Sequence, residues 1–203
     1  MYISRVYLDT RKHKTAKAMY NRNIFHGALE KCFVGERQHP LWRIDHDSDK
    51  TCMIILSKNL PDFEEFQEQF GLAGTQAETK SYDKHVESIT DRELYRFRLV
   101  ANPVITKEGK RIPLNMNSTE KYPYSADDWL RDRLKAAGAE AVFVEISNVN
   151  SNKITKDRQR ITISTMQFDG VLNVFDANAL KKALINGIGH GKAYGSGLLT
   201  IMR

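Results

Sequence analysis

The first half of the chain alternates segments with the apolar spacing of strands and segments with that of helices. Residues 2–8 alternate apolar and polar side chains, as a strand with one buried face does. After a basic, polar segment at residues 10–17, apolar side chains recur at helical spacing, most clearly at residues 24–33. The remaining predicted elements are strands at 42–44 and 51–56, a short acidic helix at 61–70 and a strand at 95–101. This order of strand, helix, strand, strand, helix and strand is that of a ferredoxin-like unit.

The second half predicts the same order after an irregular connection. Residues 102–124 contain three prolines, and Glu108-Gly109 within them is suited to the turn of a hairpin. Ser125 is placed to cap the helix that follows. The later predicted elements are a strand at 142–146, a hairpin of strands at 161–168 and 171–175 that turns at Asp169-Gly170, a helix capped by Asp176, and a closing strand at 198–201.

Together the two halves predict an α+β protein of two tandem ferredoxin-like (βαββαβ) domains. The predicted domains are residues 1–101 and 125–203, joined by a linker at 102–124. No letter-level repeat relates the two halves, so the duplication is one of pattern only.

The charge of the chain is modestly basic and unevenly distributed. Its 31 Lys and Arg against 25 Asp and Glu give a formal net charge of +6. Residues 151–203 hold eight basic and three acidic side chains, whereas residues 61–93 hold nine acidic and three basic ones. A basic segment of this kind favours a polyanionic partner, and nucleic acid is the partner that we expect.

Cysteine usage and hydropathy exclude several classes of protein. Cys32 and Cys52 are the only cysteines and form no CxxC pair, so neither a disulfide framework nor a cysteine zinc site is expected. Arg5 and Asp9 interrupt what would be the apolar core of a signal peptide, and no apolar run is long enough to span a bilayer. We therefore expect a cytoplasmic protein with no membrane contact and no cofactor.

Glycines dominate the segment before the last strand and surround one lysine. This glycine loop, GIGHGKAYGSG, begins at Gly187 and includes Gly189, His190, Gly191 and Lys192. Glycine tolerates positive φ and presents bare N–H groups, so such a loop can approach a phosphate closely. It is not a Walker A loop, because Ala193 follows the lysine and a strand comes next. A polynucleotide backbone is the favoured ligand, with a plain glycine turn as the alternative.

Six motifs resemble the CasE endoribonuclease family and stand in that family's order. They are MYISRVYL, FHGALEKCF, YRFRLVANP, KRIPL, MQFDGVLNV and the ending GIGHGKAYGSGLLTI. The resemblance implies two ferredoxin-like domains of the RAMP type and CRISPR precursor RNA as the substrate. It also implies metal-independent cleavage at the base of the repeat hairpin, with 2′,3′-cyclic phosphate and 5′-hydroxyl ends. The processed RNA would then be retained in the Cascade complex, together with the other subunits.

The same resemblance identifies His26 as the catalytic histidine. RNA carries its own nucleophile, the 2′-hydroxyl beside the scissile phosphate, so a protein needs only a proton acceptor, a proton donor and positive charge. By position alone, His26 is one of six histidines and could be structural. Some relatives have a tyrosine three residues before it, where this chain has Asn23. Tyr20 could assist only if the chain bends before His26, and otherwise it would pack its ring at the domain interface.

Basic residues in three parts of the chain are candidates for RNA contact. Arg158 and Arg160 are two residues apart on a predicted extended segment, so they face one way and could follow the phosphates of an RNA stem. The A-form major groove is too narrow for side chains to read, so such contacts would recognise shape and backbone. A solvated charged surface is the alternative. The full set of candidates is Lys153, Lys156, Arg158 and Arg160, then Arg11 and Lys14, and finally Gly189, His190, Gly191 and Lys192 in the glycine loop.

Two other functions stay open on the sequence alone. A non-cleaving subunit that binds an RNA hairpin would keep the basic residues and the glycine loop, and Asn23 is the feature that favours it. A metal-dependent nuclease would need Asp, Glu and His at ligand spacing, but the acidic side chains concentrate at residues 61–93. We therefore expect no metal site, and we expect the free protein to be a monomer.

Overall fold

Two compact units make up the protein, in a computed structural model that describes residues 1–35, 37–47, 49–120, 123–156 and 159–203. At residues 47, 151–156 and 159–162 only the backbone is described. The first unit comprises Met1–His85, Asn152–Thr162 and Lys192–Gly195. The second comprises Val86–Ser151, Ile163–Gly191 and Ser196–Arg203.

The first unit is built on a four-stranded antiparallel sheet. Its elements are β1 (Tyr2–Leu8), α1 (His13–Tyr20), α2 (Asn23–Glu30), β2 (Leu41–Asp47), β3 (Lys50–Ser57), α3 (Glu64–Phe70), β4 (Glu78–Ser81) and the short helix α4 (Asp83–Glu87) that leads out of it. The strands lie in the order β2-β3-β1-β4. This places the first strand of the unit between the third and the last, as in ferredoxin-like folds.

Aromatic packing holds the core of the first unit. Phe25 on α2 lies with its ring centroid 5.9 Å from that of Trp42 and 5.1 Å from that of Phe70, both edge-on. Val6 and Leu8 on β1 point into the same core, and the alternation of β1 leaves Arg5 exposed. Edge-on aromatic pairs contribute roughly 0.5 to 1.5 kcal/mol each beyond the burial of their area. The Phe25 ring therefore packs α2 against both β2 and α3.

The second unit repeats the strand order of the first. Its elements are β5 (Leu94–Ala101), β6 (Val104–Lys107), β7 (Lys110–Pro113), α5 (Ala126–Ala136), β8 (Ala139–Lys156), β9 (Gln159–Val174), α6 (Ala177–Asn186) and β10 (Leu199–Met202). Residues 152–162, which include the last part of β8 and the first part of β9, and the 3₁₀ turn at Lys192–Tyr194 count with the first unit. The sheet order β10-β5-β9-β8 again places the first strand between the third and the last. Two such sheets in one chain confirm the predicted tandem ferredoxin-like fold.

The helix caps and the hairpin turn predicted in the second unit are present in the structure. The Ser125 hydroxyl accepts a hydrogen bond from the Asp128 N–H, and the Asp128 carboxylate accepts one from the Ser125 N–H, so a capping box begins α5. The Asp176 carboxylate caps α6 by accepting from the Ala179 N–H at 2.9 Å. Glu108 and Gly109 have φ values of 52° and 75° and turn the hairpin of β6 and β7. No described helix is long and apolar enough to cross a membrane.

The strand predicted at residues 95–101 exists as β5, but it does not close the first sheet. It pairs with β9 and β10, where Leu99 stands opposite Phe168 and Leu199. The edge strand beside β1 is β4, which the hydrophobic pattern of the sequence did not predict. Alternation fixes which face of a strand is buried but not which sheet receives it, and the pattern alone therefore assigned β5 to the wrong sheet.

The basic segment at residues 10–17 is also more regular than its composition predicted. It contains most of α1, whose inner side is formed by Thr15 and Ala18, three residues apart and both fully buried. The buried side of α1 consists of these two small side chains among lysines. The sequence therefore shows no clear helical spacing of apolar residues there.

The hairpin turn predicted at Asp169-Gly170 is wrong, because β9 runs through both residues. Arg98 stands opposite Asp169 and Phe97 opposite Gly170 in the pairing with β5. A Cβ on Gly170 would collide with the carbonyl oxygen of Phe143 and lie 2.8 Å from the Phe97 ring. Glycine inside a strand marks a close approach of neighbouring chains here, not a turn.

We expect Gly170→Ala to destabilise the protein by about 1 to 3 kcal/mol, because a backbone carbonyl cannot move aside as a flexible side chain can. Gly27→Ala is the matched control, since Gly27 lies inside α2 and its added Cβ would meet no atom within 4 Å. That change should stabilise the protein by roughly 0.5 to 1 kcal/mol. Urea unfolding of both variants measures the difference. Wild-type stability of Gly170→Ala would mean that the strands separate there without cost.

Candidate functional site

The helix α2 carries the histidine that the sequence motifs single out. Phe25 and Leu29 lie four residues apart on this helix and are fully buried, which fixes its rotation about its own axis. His26 and Glu30 each follow one of these anchors, so they lie along the margin of the buried face. Their side chains are 27% and 14% exposed, respectively. The core packing of α2 therefore presents the two polar side chains together and shields both from water.

The surroundings of His26 favour a neutral imidazole. Burial is the main cause that lowers the pKa of His26; the Glu30 carboxylate opposes this shift, and His39 and Arg37 add to it. Among the described residues, none accepts from or donates to the buried Nδ1 of His26. A neutral imidazole with an available lone pair can accept a proton near neutral pH.

Glu30 and His39 form a cluster with His26. The Nδ1 atom of His39 lies 3.1 Å from Oε1 of Glu30, and the Nδ1 atom of His26 lies 4.0 Å from the same oxygen. The two imidazole planes differ by 18°, with ring centroids 6.5 Å apart. One nitrogen or oxygen atom of each side chain lies within 4.8 Å of the other two, so the three could hold a metal ion. The sequence-based view that no Asp, Glu and His cluster has ligand spacing is therefore corrected.

Only part of this cluster left a signal in the sequence. The four-residue spacing of His26 and Glu30 places both on one face of a helix, and this pair could have been recognised. His39 lies outside α2, in the connection to β2, and its φ of 46° lies in the left-handed region that few residues other than glycine adopt. Nothing in the local sequence indicates that this connection returns to α2.

Trp42 on β2 links α2 to the glycine loop. Its ring is fully buried, meets the Phe25 ring edge-on and carries the Arg22 guanidinium 5.9 Å from its centroid. Burial lowers the pKa of Arg22 to about 10. A Cβ on Gly195 would lie 2.7 Å from the same ring, and the 3₁₀ turn at Lys192–Tyr194 contacts both α2 and β2. Lys192–Gly195 of the loop and the helix of His26 therefore pack together within the first unit.

The glycine loop uses its glycines for backbone conformation, as predicted. All of its glycines adopt positive φ, from 72° at Gly187 to 90° at Gly197. A Cβ on Gly189 would lie 3.0 Å from the Trp129 ring, whereas one on Gly191 would meet its nearest neighbour, Ser196, at 3.5 Å. His190 is exposed and forms an isolated bridge with Asn102. Gly189 and Gly195 thus lie close to aromatic rings of the protein, whereas a Cβ at Gly191 would make ordinary contacts.

The chain bends between Tyr20 and His26, which is the condition set for Tyr20 to assist. Helix α1 ends at Tyr20 and α2 begins at Asn23, with Asn21 capping the first helix. The Tyr20 side chain is 67% exposed. Asn23 is the first residue of α2, and its N–H donates to the Asn21 side chain at 3.3 Å. The role of Tyr20 stays a prediction.

The other basic candidates fall into two groups. Arg11 pairs with Asp9 through two hydrogen bonds of 3.0 and 3.1 Å, and the Lys14 ammonium lies 5.7 Å from the centroid of the Phe70 ring. Arg158 lies outside the described residues, and only the backbone is described at Lys153, Lys156 and Arg160. Their predicted contacts with RNA stay predictions.

A family model for CRISPR associated proteins matches residues 1–203, which is the whole chain. The chain belongs to the CRISPR associated protein family. The resemblance to the CasE family that the sequence motifs indicated is thereby confirmed at the level of the family.

Similar proteins share the length and fold of this CRISPR-associated protein. A CRISPR-associated endoribonuclease, Cse3 from Thermus thermophilus, is 23% identical over 221 residues that cover 99% of both chains. A solved structure of CRISPR endoribonuclease Cse3 bound to a 19-nucleotide RNA matches with a TM-score of 0.83 and 22% identity, over the full length of both chains. A chain of a CRISPR RNA-guided surveillance complex matches with a TM-score of 0.66 and 20% identity, over 99% of this chain and 98% of that one. At these identities the likeness establishes a common fold.

We expect Gly195→Ala to destabilise the protein by about 1 to 3 kcal/mol more than Gly74→Ala does. Both glycines have a φ near +80°, so both substitutions cost backbone strain. Only the Cβ at Gly195 would press on the buried Trp42 ring, since nothing lies within 4 Å of one at Gly74. Urea unfolding followed by tryptophan fluorescence reports both the stability and the surroundings of the ring. An equal loss of unfolding free energy in the two variants would show that the contact with the Trp42 ring does not contribute to stability.

Proposed function

We propose that this protein is a metal-independent endoribonuclease that cleaves CRISPR precursor RNA at the base of the repeat hairpin. The observation that carries the proposal is the family match over residues 1–203, together with His26 half-buried and unbonded at Nδ1 on α2. The similarity to Cse3, an endoribonuclease whose solved structure contains RNA, supports the same substrate class.

The chemistry needs little from the protein beyond His26 and positive charge. His26 accepts the proton of the 2′-hydroxyl, whose oxygen then bonds to the adjacent phosphorus while the bond from phosphorus to the 5′-oxygen breaks. The leaving 5′-oxygen takes up a proton, so the products end in a 2′,3′-cyclic phosphate and a 5′-hydroxyl. Lys192 supports this reaction, because its 3₁₀ turn contacts α2 and a lysine there would stabilise the extra charge on the phosphorane. Tyr20 is proposed to assist His26.

Recognition of the RNA stem is assigned to the basic residues on β8, β9 and their connection. These are Lys153, Lys156, Arg158 and Arg160, with Gly189, His190, Gly191, Arg11 and Lys14 as further contacts. Asn152–Thr162 belongs to the same compact unit as α2, Arg11 and Lys14, which supports a role of that unit in binding the stem. Contacts of this kind read the backbone and shape of an A-form stem. The ion pair of Arg11 with Asp9, whose side chain is only 11% exposed, would have to open for Arg11 to bind a phosphate.

The processed RNA is proposed to stay bound while the protein acts as a subunit of Cascade. The support is the shared fold with a chain of the CRISPR RNA-guided surveillance complex. Outside that assembly we propose a cytoplasmic monomer. A non-cleaving RNA-binding subunit is the second candidate, and Asn23 at the start of α2, three residues before His26, is the observation that favours it.

The deciding experiment is cleavage of candidate repeat hairpins after treatment of the protein with excess chelator. We expect cleavage to persist, and mass analysis should find cyclic phosphate and 5′-hydroxyl ends. Binding without cleavage would support the second candidate. Cleavage that stops with chelator and returns with Mg²⁺ would instead identify a metal-dependent nuclease.

His26→Ala should lower the single-turnover cleavage rate by about two to four orders of magnitude, because the variant lacks the proton acceptor. Hairpin affinity should stay close to that of the wild type. His46→Ala is the matched control, since His46 is an exposed histidine of the same unit that lies on β2. Wild-type cleavage by His26→Ala would remove His26 from the mechanism, and a loss of binding would give it a structural role.

Replacing both Arg158 and Arg160 by Ala should weaken RNA binding and make its salt dependence shallower. Each lost phosphate contact removes roughly 0.7 to 0.9 from the slope of log affinity against log salt. Lys80 and Lys84, both exposed within the acidic residues 61–93, provide a double-alanine control with the same change of charge. An identical slope for the arginine variant and this control would return Arg158 and Arg160 to a solvated surface.

A further inference from the structure

The cluster of His26, Glu30 and His39 brings two imidazoles to one carboxylate. Glu30 lies between them, with Oε1 3.1 Å from Nδ1 of His39 and 4.0 Å from Nδ1 of His26. His26 and Glu30 are presented by one face of α2, and His39 comes from the connection that leads to β2. The cluster is open on one side, since 69% of the His39 side chain is exposed. An ion could therefore enter from solvent without any movement of the core.

The carboxylate of Glu30 is poorly satisfied for a buried charge. Its side chain is only 14% exposed, and within the described part of the chain neither oxygen accepts a hydrogen bond. The His39 nitrogen is near enough to Oε1 but lacks the alignment that a hydrogen bond requires. A buried carboxylate that lacks both hydrogen bonds and a counter-charge is costly. A metal ion among the three side chains would compensate this carboxylate.

The donor set selects the kind of metal. Imidazole nitrogen suits zinc and other late transition metals, whereas magnesium and calcium prefer oxygen ligands throughout. A tetrahedral zinc ion with bonds of about 2.0 to 2.2 Å sets its ligand atoms roughly 3.3 to 3.6 Å apart. The atoms of this cluster lie within 4.8 Å of one another, so small side-chain rotations would complete the geometry. Three protein ligands leave a fourth position for water.

We propose that His26, Glu30 and His39 form a binding site for a divalent transition metal of the zinc class, and that the bound metal holds RNA cleavage off. A His26 imidazole bound to the metal through Nδ1 carries its proton on Nε2. It then has no lone pair left for the proton of the 2′-hydroxyl. The site itself stands on the geometry alone, whereas its effect on cleavage rests on the proposed function.

Zinc binding to the free protein tests the site without reference to RNA. Chelator-treated, dialysed full-length protein is titrated with Zn²⁺ in a calorimeter, and Co²⁺ absorption reports the ligand geometry. We expect one ion per chain in the wild type and in His46→Ala. Affinity should fall by at least about 100-fold in His39→Ala, since loss of even an outer partner of a metal ligand costs 10- to 100-fold. His39 is exposed, so this variant should fold normally, and thermal unfolding checks this for it and for Glu30→Gln, which should also bind weakly.

Cleavage of a repeat hairpin then tests the effect of the metal. Each variant is compared with its own chelator-treated rate, and one equivalent of Zn²⁺ should inhibit the wild type and His46→Ala but not His39→Ala. No Zn²⁺ binding by the wild type, or equal binding by His39→Ala, overturns the site. Binding with unchanged cleavage overturns the inhibition. A chelator-treated wild type that binds Zn²⁺ but never cleaves contradicts the proposed function and the inhibition, while it supports the site.

Discussion

The contact of Gly195 with the buried ring of Trp42 is the constraint on which the arrangement around His26 depends. The Trp42 ring packs edge-to-face with Phe25 and so holds α2 in place. The same ring leaves no space for a side chain at position 195. Two requirements therefore coincide at one residue, a positive φ and the absence of a Cβ, and glycine alone meets both. Through this contact the segment at Lys192–Gly195, from the opposite end of the sequence, becomes part of the unit that carries the histidine.

Partial burial at the margin of the core acts on both polar side chains of α2, His26 and Glu30. Anchoring α2 through Phe25 and Leu29 takes His26 far enough from water to favour the neutral imidazole, which is the form that accepts a proton. The same rotation of the helix withdraws the Glu30 carboxylate from water, although a carboxylate is poorly stabilised there without a cation. The same burial therefore favours a neutral His26 and places a carboxylate beside it. Whatever cation satisfies Glu30 will influence His26, because both side chains project from one face of one helix.

The sequence predicted the features of this protein that are decided by neighbouring residues. The capping box at Ser125, the cap at Asp176 and the turn at Glu108-Gly109 depend on contacts within a few positions, and all three formed. Three other features depend on contacts between distant parts of the chain, and the sequence did not predict them. They are the sheet to which β5 belongs, the continuation of β9 through Gly170 and the position of His39 beside α2. Hydrophobic periodicity reports which face of an element is buried and carries no information about the partner that buries it. His26 itself was identified through the family motifs, because hydrophobic periodicity does not distinguish a functional histidine at a helix margin from any other.

The glycine loop shows why a glycine-rich motif alone is weak evidence for a ligand. At Gly189 and Gly195 the missing side chains are explained by the Trp129 and Trp42 rings, so packing within the protein accounts for both. Gly191 differs, because a Cβ there would meet only ordinary contacts and the residue is held to glycine by its φ of 86°. Successive backbone N–H groups in a turn conformation can form a site for an anion. Of these three glycines, Gly191, next to Lys192, is therefore the one whose identity depends on backbone conformation and not on packing against an aromatic ring.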